Sequence, residues 1–318
     1  MNSQRIPIKI SKKNTSNYYT VEWMLGNTCN YDCSFCSSNI KDGSQRWLKI
    51  EDYILTCVRL IAQAEKKNKK IVFQFTGGEP TLFKDLIQLI EFIKEKGHYV
   101  NLISNGSRTL RWWEELANKN LINYLFISVH TEQNCDIEHI INVVNLFKNS
   151  FTLCAVTCIP EYFEKTVYNL NKIKDNANCL VSLRPITVSN KEDCFLNYSE
   201  EQLDIIKNNT LIRSKNYTVK FPGYRYDNLM EVEYSDKYKF KSNAPKLVTN
   251  GMNYFFNWKC SIGTEYLNII YDKIYRGKCL VGGPIGTIYE DVGFVDDWVT
   301  CPFVRCNCST DLIETKIR

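Results

Sequence analysis

The sequence predicts an α/β protein: a parallel sheet assembled from βαβ units, followed by a small C-terminal module built on a β-hairpin. Three observations carry this. Six short apolar runs rich in β-formers recur between residues 19 and 184, with amphipathic helical patterns between them. After about residue 214 that alternation stops. The cysteines bunch near the two ends of the chain instead of spreading evenly.

The first run covers residues 19–25 and the second residues 71–76 (IVFQFT). Residues 99–104, 124–129, 151–157 and 180–184 complete the set. These runs are apolar on both faces, as strands covered by helices must be. The intervals between them are long enough for the crossover that parallel pairing requires. Over residues 52–65, Ile54, Val58 and Ile61 share a helix face, and over 84–96 Leu86, Ile90 and Ile93 do, with Gly97 as C-cap. The expected division is an N-terminal tail (1–18), a sheet-and-helix domain (19–213), a linking segment (214–257) and a cysteine module (258–318). Within the linking segment, Tyr224, Arg225, Tyr226, Asp227 and Glu231 are candidates for covering a substrate or for plain packing.

The composition is that of an ordinary globular protein, 44% hydrophobic and 24% charged over 318 residues, so disorder is not expected. The charge of +5 is mild, and the run Lys66-Lys67-Asn68-Lys69-Lys70 suits a solvated helix end. Nucleic acid is neither indicated nor excluded. No apolar run has the roughly 20 residues of a membrane span, and residues 1–17 lack the apolar core of a signal peptide. A cytoplasmic location is therefore expected, where thiols stay reduced. Under those conditions 14 cysteines point to metal ligation rather than disulfides. Six scattered ones (Cys57, Cys135, Cys154, Cys158, Cys179, Cys194) read as small buried hydrophobes.

Cys29, Cys33 and Cys36 form a C-x3-C-x2-C loop directly after the first strand. Three thiolates on one short loop can each hold one iron of a [4Fe–4S] cube and leave the fourth iron open for a ligand. A structural zinc with a distant fourth ligand is the other reading. After the second strand comes Thr76-Gly77-Gly78-Glu79-Pro80, where glycines permit close backbone approach. Alone it could be a simple turn.

Together these motifs resemble the radical S-adenosylmethionine (radical SAM) superfamily, whose signature is C-x3-C-x-Φ-C, with Phe35 at the aromatic position, and whose glycine motif is GGE. Further positions match: Ser104-Asn105-Gly106 ends the third strand, Ser128 the fourth, and Arg184 the sixth. The resemblance spans roughly residues 19–190. It implies a partial (β/α)6 TIM-like barrel with its site at the strand C-terminal ends. It further implies a cluster on Cys29, Cys33 and Cys36, with SAM held by Phe35, Thr76, Gly77, Gly78, Glu79, Ser104, Asn105, Ser128 and Arg184. Reductive cleavage of SAM would give methionine and a 5′-deoxyadenosyl radical, which abstracts a hydrogen atom from a substrate C–H. The electron would come from a reductase such as flavodoxin or ferredoxin. His130, just past the fourth strand, is a candidate for functional contact.

Near the C-terminus stand Cys260, Cys279, Cys301, Cys306 and Cys308, the first two at the bases of an expected hairpin. They resemble the twitch or SPASM extensions of the family, which carry auxiliary [4Fe–4S] clusters; a structural zinc is the alternative. Five cysteines for four irons leave one over, and Cys301 is slightly favoured over Cys308 as ligand. Three functions stay open. The first is oxidation or epimerisation of a small non-peptide substrate such as a sugar, aminocyclitol or nucleotide derivative. The second is maturation of a ribosomally made peptide, and the third is a non-catalytic electron-transfer protein. The short stretch before the first strand favours the first over peptide maturation.

Overall fold

The computed structural model describes residues 6–12, 17–186, 197–218, 230–306 and 308–318. The chain forms two compact units, one of Trp23–Ile54 with Val72–Pro222 and one of Met1–Glu22, Leu55–Ile71 and Gly223–Arg318. In chain order come β1 (Pro7–Lys12), β2 (Tyr18–Met24), α1 (Ile50–Lys66), β3 (Lys70–Thr76), α2 (Leu86–Glu95) and β4 (Tyr99–Ser104). They are followed by α3 (Leu110–Asn118), β5 (Tyr124–His130), α4 (Ile137–Leu146), β6 (Phe151–Cys158), α5 (Phe163–Asn176), β7 (Leu180–Pro185), α6 (Glu200–Asn208) and β8 (Ile212–Arg213).

The first unit is mixed α/β around a central sheet. Strands β3 to β7 pair in sequential order and in parallel, with Val72 opposite Tyr99, Asn101 opposite Tyr124, Tyr124 opposite Phe151 and Leu153 opposite Leu180. β8 runs antiparallel, on β7. All six expected runs are strands, and β6 is buried at nearly every residue, as a two-sided apolar pattern dictates. In α2, Leu86, Ile90 and Ile93 are fully buried as expected. In α1 Ile61 is buried as expected, but the rest of the buried face is Tyr53, Cys57, Leu60 and Ala64, while Val58 is 43% exposed. The i, i+4, i+7, i+11 series of Tyr53 makes a better apolar stripe than the β-branched residues did.

The second unit is antiparallel. It adds β9 (Met230–Tyr234), β10 (Lys239–Ser242), α7 (Ala244–Thr249), β11 (Lys259–Cys260), β12 (Tyr266–Ile270), β13 (Lys273–Tyr275), β14 (Pro284–Thr287), β15 (Val299–Thr300), α8 (Ser309–Leu312) and β16 (Lys316–Ile317). One sheet has the order β10-β9-β1-β16-β11-β15. Residues 7–12, inside the stretch expected as a tail, are therefore its strand β1. Part of the expected linking segment supplies β9, β10 and α7; Tyr224, Arg225, Tyr226 and Asp227 lie outside the described residues. The expected hairpin is β12–β13, with Ile269 opposite Ile274. Ile10, Met230, Val232, Leu247, Phe255, Trp258, Leu312 and Ile313 make this unit's core. Among the described residues no helix is long and apolar enough to cross a membrane.

Candidate active site

The C-terminal ends of β3, β4 and β5 and the loop after β2 meet around a cleft of about 200 Å³. It is lined by Cys29, Cys33, Phe35, Cys36, Thr76, Gly77, Gly78, Glu79, Ser104, Asn105, Ser128 and His130, joined by Tyr31, Ile40, Lys41 and Ile103. Every residue singled out in the sequence for this site is among them except Arg184, which is exposed at the end of β7.

Backbone pairing brings the glycine loop against the chain just before the cysteines. Gly78 N donates to Gly26 O (2.9 Å) and Glu79 N to Thr28 O (2.8 Å). A Cβ on Gly78 would lie 2.4 Å from Thr28 O, and one on Gly77 2.6 Å from Gly26 O. The glycines are thus required by the backbone of the neighbouring loop, residues 26–28. The Glu79 carboxylate is buried and takes four donors: Thr81 N (3.0 Å), Thr81 Oγ1 (2.6 Å), Ser104 Oγ (2.8 Å) and Asn105 N (2.6 Å). Burial raises its carboxyl above the ordinary range, and those donors pull the other way.

Several residues that the sequence reading passed over hold the cysteine loop. Asn27, wholly buried, donates to Asn39 O (2.8 Å) and Asp42 Oδ1 (2.7 Å) and accepts from Gln45 N (2.8 Å). Asn105 Nδ2 donates to Asn30 Oδ1 (2.9 Å). Just past β5, Glu132 accepts from Ser34 N (3.0 Å), and Lys41 Nζ donates to Cys33 O (2.7 Å) and pairs with Asp32 (2.5 Å). Asn27 was the legible one: an amide flanked by Gly26 and Thr28, two residues before the first cysteine.

The three thiols are partly enclosed. Burial pushes Cys33 up to about 12, with Glu132, Cys36 and Cys29 adding to it, and raises Cys29 and Cys36 too. Such a donor set suits a cationic iron–sulfur core, which ionises thiols by its own charge. His130 stacks on Phe35 (5.6 Å, 27°) and meets Tyr31 edge-on (6.0 Å, 89°). Burial lowers its pKa to about 4 against the pull of Glu132, so the ring is neutral at pH 7, and its Nδ1 has no hydrogen-bond partner.

In the second unit Cys260 and Cys301 are buried and Cys279, Cys306 and Cys308 half-buried, all as free thiols. Cys260 and Cys279 pack with Tyr266, Val281 and Phe303, whereas Cys301 and Cys306 pack at the larger core. Burial pushes Cys306 up to about 12, opposed by Lys316 and reinforced by Asp311, Cys260 and Cys308. Cys279 is raised by burial and by Asp311, with Cys306 contributing. Cys301 Sγ faces its own neighbour Phe303 O at 3.7 Å. Among the described residues no three His, Cys, Asp or Glu side chains are grouped to hold a single metal ion.

Among known proteins, a probable GTP 3′,8-cyclase of Pyrobaculum aerophilum is 30% identical over 114 residues, 35% of this chain and 34% of that protein. One from Saccharolobus solfataricus is 25% identical over 218 residues, 62% and 68% of the two chains. The match thus spans about a third of the first relative's length. Two solved structures resemble the fold. SuiB of Streptococcus suis bound to precursor peptide SuiA has TM-score 0.53 and 14% identity, over 87% of this chain and 65% of that one. Native anSMEcpe with bound AdoMet has TM-score 0.51 and 16% identity, over 85% and 78%. The model of the radical SAM superfamily matches residues 23–176. Those residues, whose cysteine loop and glycine loop face one cleft, are the part of this chain that is similar to the radical SAM superfamily.

Proposed function

We propose that the cleft holds a [4Fe–4S] cluster on Cys29, Cys33 and Cys36 with SAM beside it, on a partial (β/α)6 barrel. A second, auxiliary cluster sits in a twitch/SPASM-like C-terminal module. The observation that supports this best is the convergence of the cysteine loop, the glycine loop, Ser104, Asn105 and Ser128 on one cleft. When bound and reduced by a flavodoxin- or ferredoxin-type partner, cluster and SAM supply a radical able to take hydrogen from an unactivated C–H. The chain's residues position and shield. Glu79 fixes the glycine loop to β4, Lys41 and Glu132 fix the cysteine loop, and the Tyr31, Phe35 and His130 rings keep water from the reacting carbon.

The substrate is a small non-peptide molecule such as a sugar, aminocyclitol or nucleotide derivative. The likeness to enzymes named as GTP cyclases supports the nucleotide class. The substrate gives one hydrogen atom to the adenosyl group, which leaves as 5′-deoxyadenosine. An auxiliary cluster held by the C-terminal cysteines would supply an acceptor for the second electron, with a proton lost to solvent, so the expected product is two hydrogens lighter. The ligand set that fits the second unit best is Cys260, Cys279, Cys306 and Cys308. Cys260 and Cys279 pack in one cluster, Cys279 N donates to Asp311 of α8, and Cys308 stands at the N-cap of that helix, whereas Cys301 lies in the larger core. In the anaerobically reconstituted protein, about eight irons are expected. Replacing Cys29, Cys33 and Cys36 by Ala should leave about four and abolish 5′-deoxyadenosine formation; continued SAM cleavage by that variant would overturn the assignment.

A further inference from the structure

The second unit buries a lysine in its core. Lys316 is 1% exposed and lies on β16, directly opposite Cys260 of β11. Side chains so paired stand about 5 Å apart at Cβ. Its ammonium donates to Asp311 O (2.7 Å), Leu312 O (3.1 Å) and Glu314 O (3.0 Å), and sits 5.1 Å from the centre of the Phe255 ring. All three protons therefore go to carbonyl dipoles, and none of these contacts neutralises the charge. The Asp311 and Glu314 carboxylates also favour its charged form, though neither is among its hydrogen-bond acceptors. Asp311 accepts from Lys278 N (3.1 Å) and Cys279 N (2.6 Å), which also fixes Cys279. Glu314 is within ion-pair range of Lys12 (2.9 Å), which also reaches Glu265 (3.1 Å), and Lys278 pairs with Glu22 (2.5 Å).

An ammonium withdrawn from water is costly unless something anionic answers it. Four thiolates on a [4Fe–4S] core leave that assembly net negative, and each added electron makes it more so. Cys260, across the ladder from Lys316, belongs to the proposed ligand set. We propose that Lys316 is the built-in counter-charge of the auxiliary cluster, favouring its reduced form and so its use as an electron acceptor. This rests on the reading of the C-terminal cysteines as cluster ligands. A lysine kept only for packing would be indifferent to the cluster's redox state.

The test uses the full chain with Cys29, Cys33 and Cys36 replaced by Ala, so that the auxiliary cluster is alone. Its potential is read by an EPR-monitored redox titration, beside iron content, for the parent and for Lys316→Met, Lys316→Gln and Lys316→Arg. The two neutral variants should keep about four irons and reduce less readily by roughly tenfold, a fall of about 59 mV for one electron. Arg should titrate with the parent. If the neutral variants retain iron and titrate with the parent, or Arg falls as far as they do, the counter-charge role is wrong while the cluster stands. If the background protein itself binds no iron at this site, the cluster reading fails and this role with it.

Discussion

The imidazole of His130 is packed between Phe35 and Tyr31, and that packing makes a pH prediction for the apoprotein. Its folded-state pKa is about 4 against an ordinary 6.5, the cause being burial. Between those values the unfolded chain takes up a proton that the folded one refuses, so stability present above pH 6.5 is withdrawn as pH falls toward 4. Urea unfolding of the parent and of His130→Phe should show a stability gap that narrows over that window. An equal gap at pH 7 and about pH 4.5 would mean that this ring is not the group responsible. Glu79 shows the limit of reading single residues. The sequence marked it as a ligand-facing carboxylate, yet four protein donors converge on it, because its neighbours Thr81, Ser104 and Asn105 come from two separate turns. No spacing rule says which buried carboxylate will be used internally.

The glycine loop and the cysteine loop behave as one structural element. Two backbone hydrogen bonds join them, and the Cβ positions of Gly77 and Gly78 are already filled by backbone oxygens of the other loop. Gly78→Ala must force them apart. Two lost backbone bonds and the overpacking together should cost about 2–5 kcal/mol. That corresponds to a Tm fall of at least about 4 °C for a unit of this size. Iron uptake at Cys29, Cys33 and Cys36 should fall with it. A melting temperature unchanged within about 2 °C, with normal iron, would show that the loops adjust independently. Both motifs were visible as sequence; their mutual contact was not, since hydrogen bonds between loops leave no periodic pattern. For α1 the periodicity itself misled, because Val58 fits an apolar stripe but Cys57 and Ala64 fit a buried one.

Over the chain as a whole, local signals were readable and long-range ones were not. All six expected strands, β2 to β7, could be seen because each is a largely apolar run bounded by helix or turn signals. β1 alternates Ile8 and Ile10 with polar residues, but its partners β9 and β16 lie far along the chain, and β11, β15 and β16 are two residues long. The C-terminal cysteines were found by count, and their environments separate them: Cys308 opens α8, the helix whose Asp311 anchors Cys279, whereas Cys301 lies against Phe303 in the core. On the proposed assignment Cys308 completes the ligand set, in place of the Cys301 that the sequence slightly favoured. Cys308→Ser should therefore lose iron from the second cluster, and Cys301→Ser should keep it. With a substrate in hand, turnover in deuterium oxide should fix no deuterium at carbon. One carbon-bound deuterium per product, with an iron-replete Cys301→Ser that fails only in turnover, would replace oxidation by epimerisation.

The pairing of β1 with β16 sets Lys9 opposite Ile317, so the middle strands of one sheet come from positions about 300 residues apart. The cysteine and glycine loops, by contrast, meet within residues 26 to 79. The sheet that carries Cys260 and Lys316 therefore closes only by a contact of very long sequence separation, whereas the cysteine and glycine loops meet through a short one.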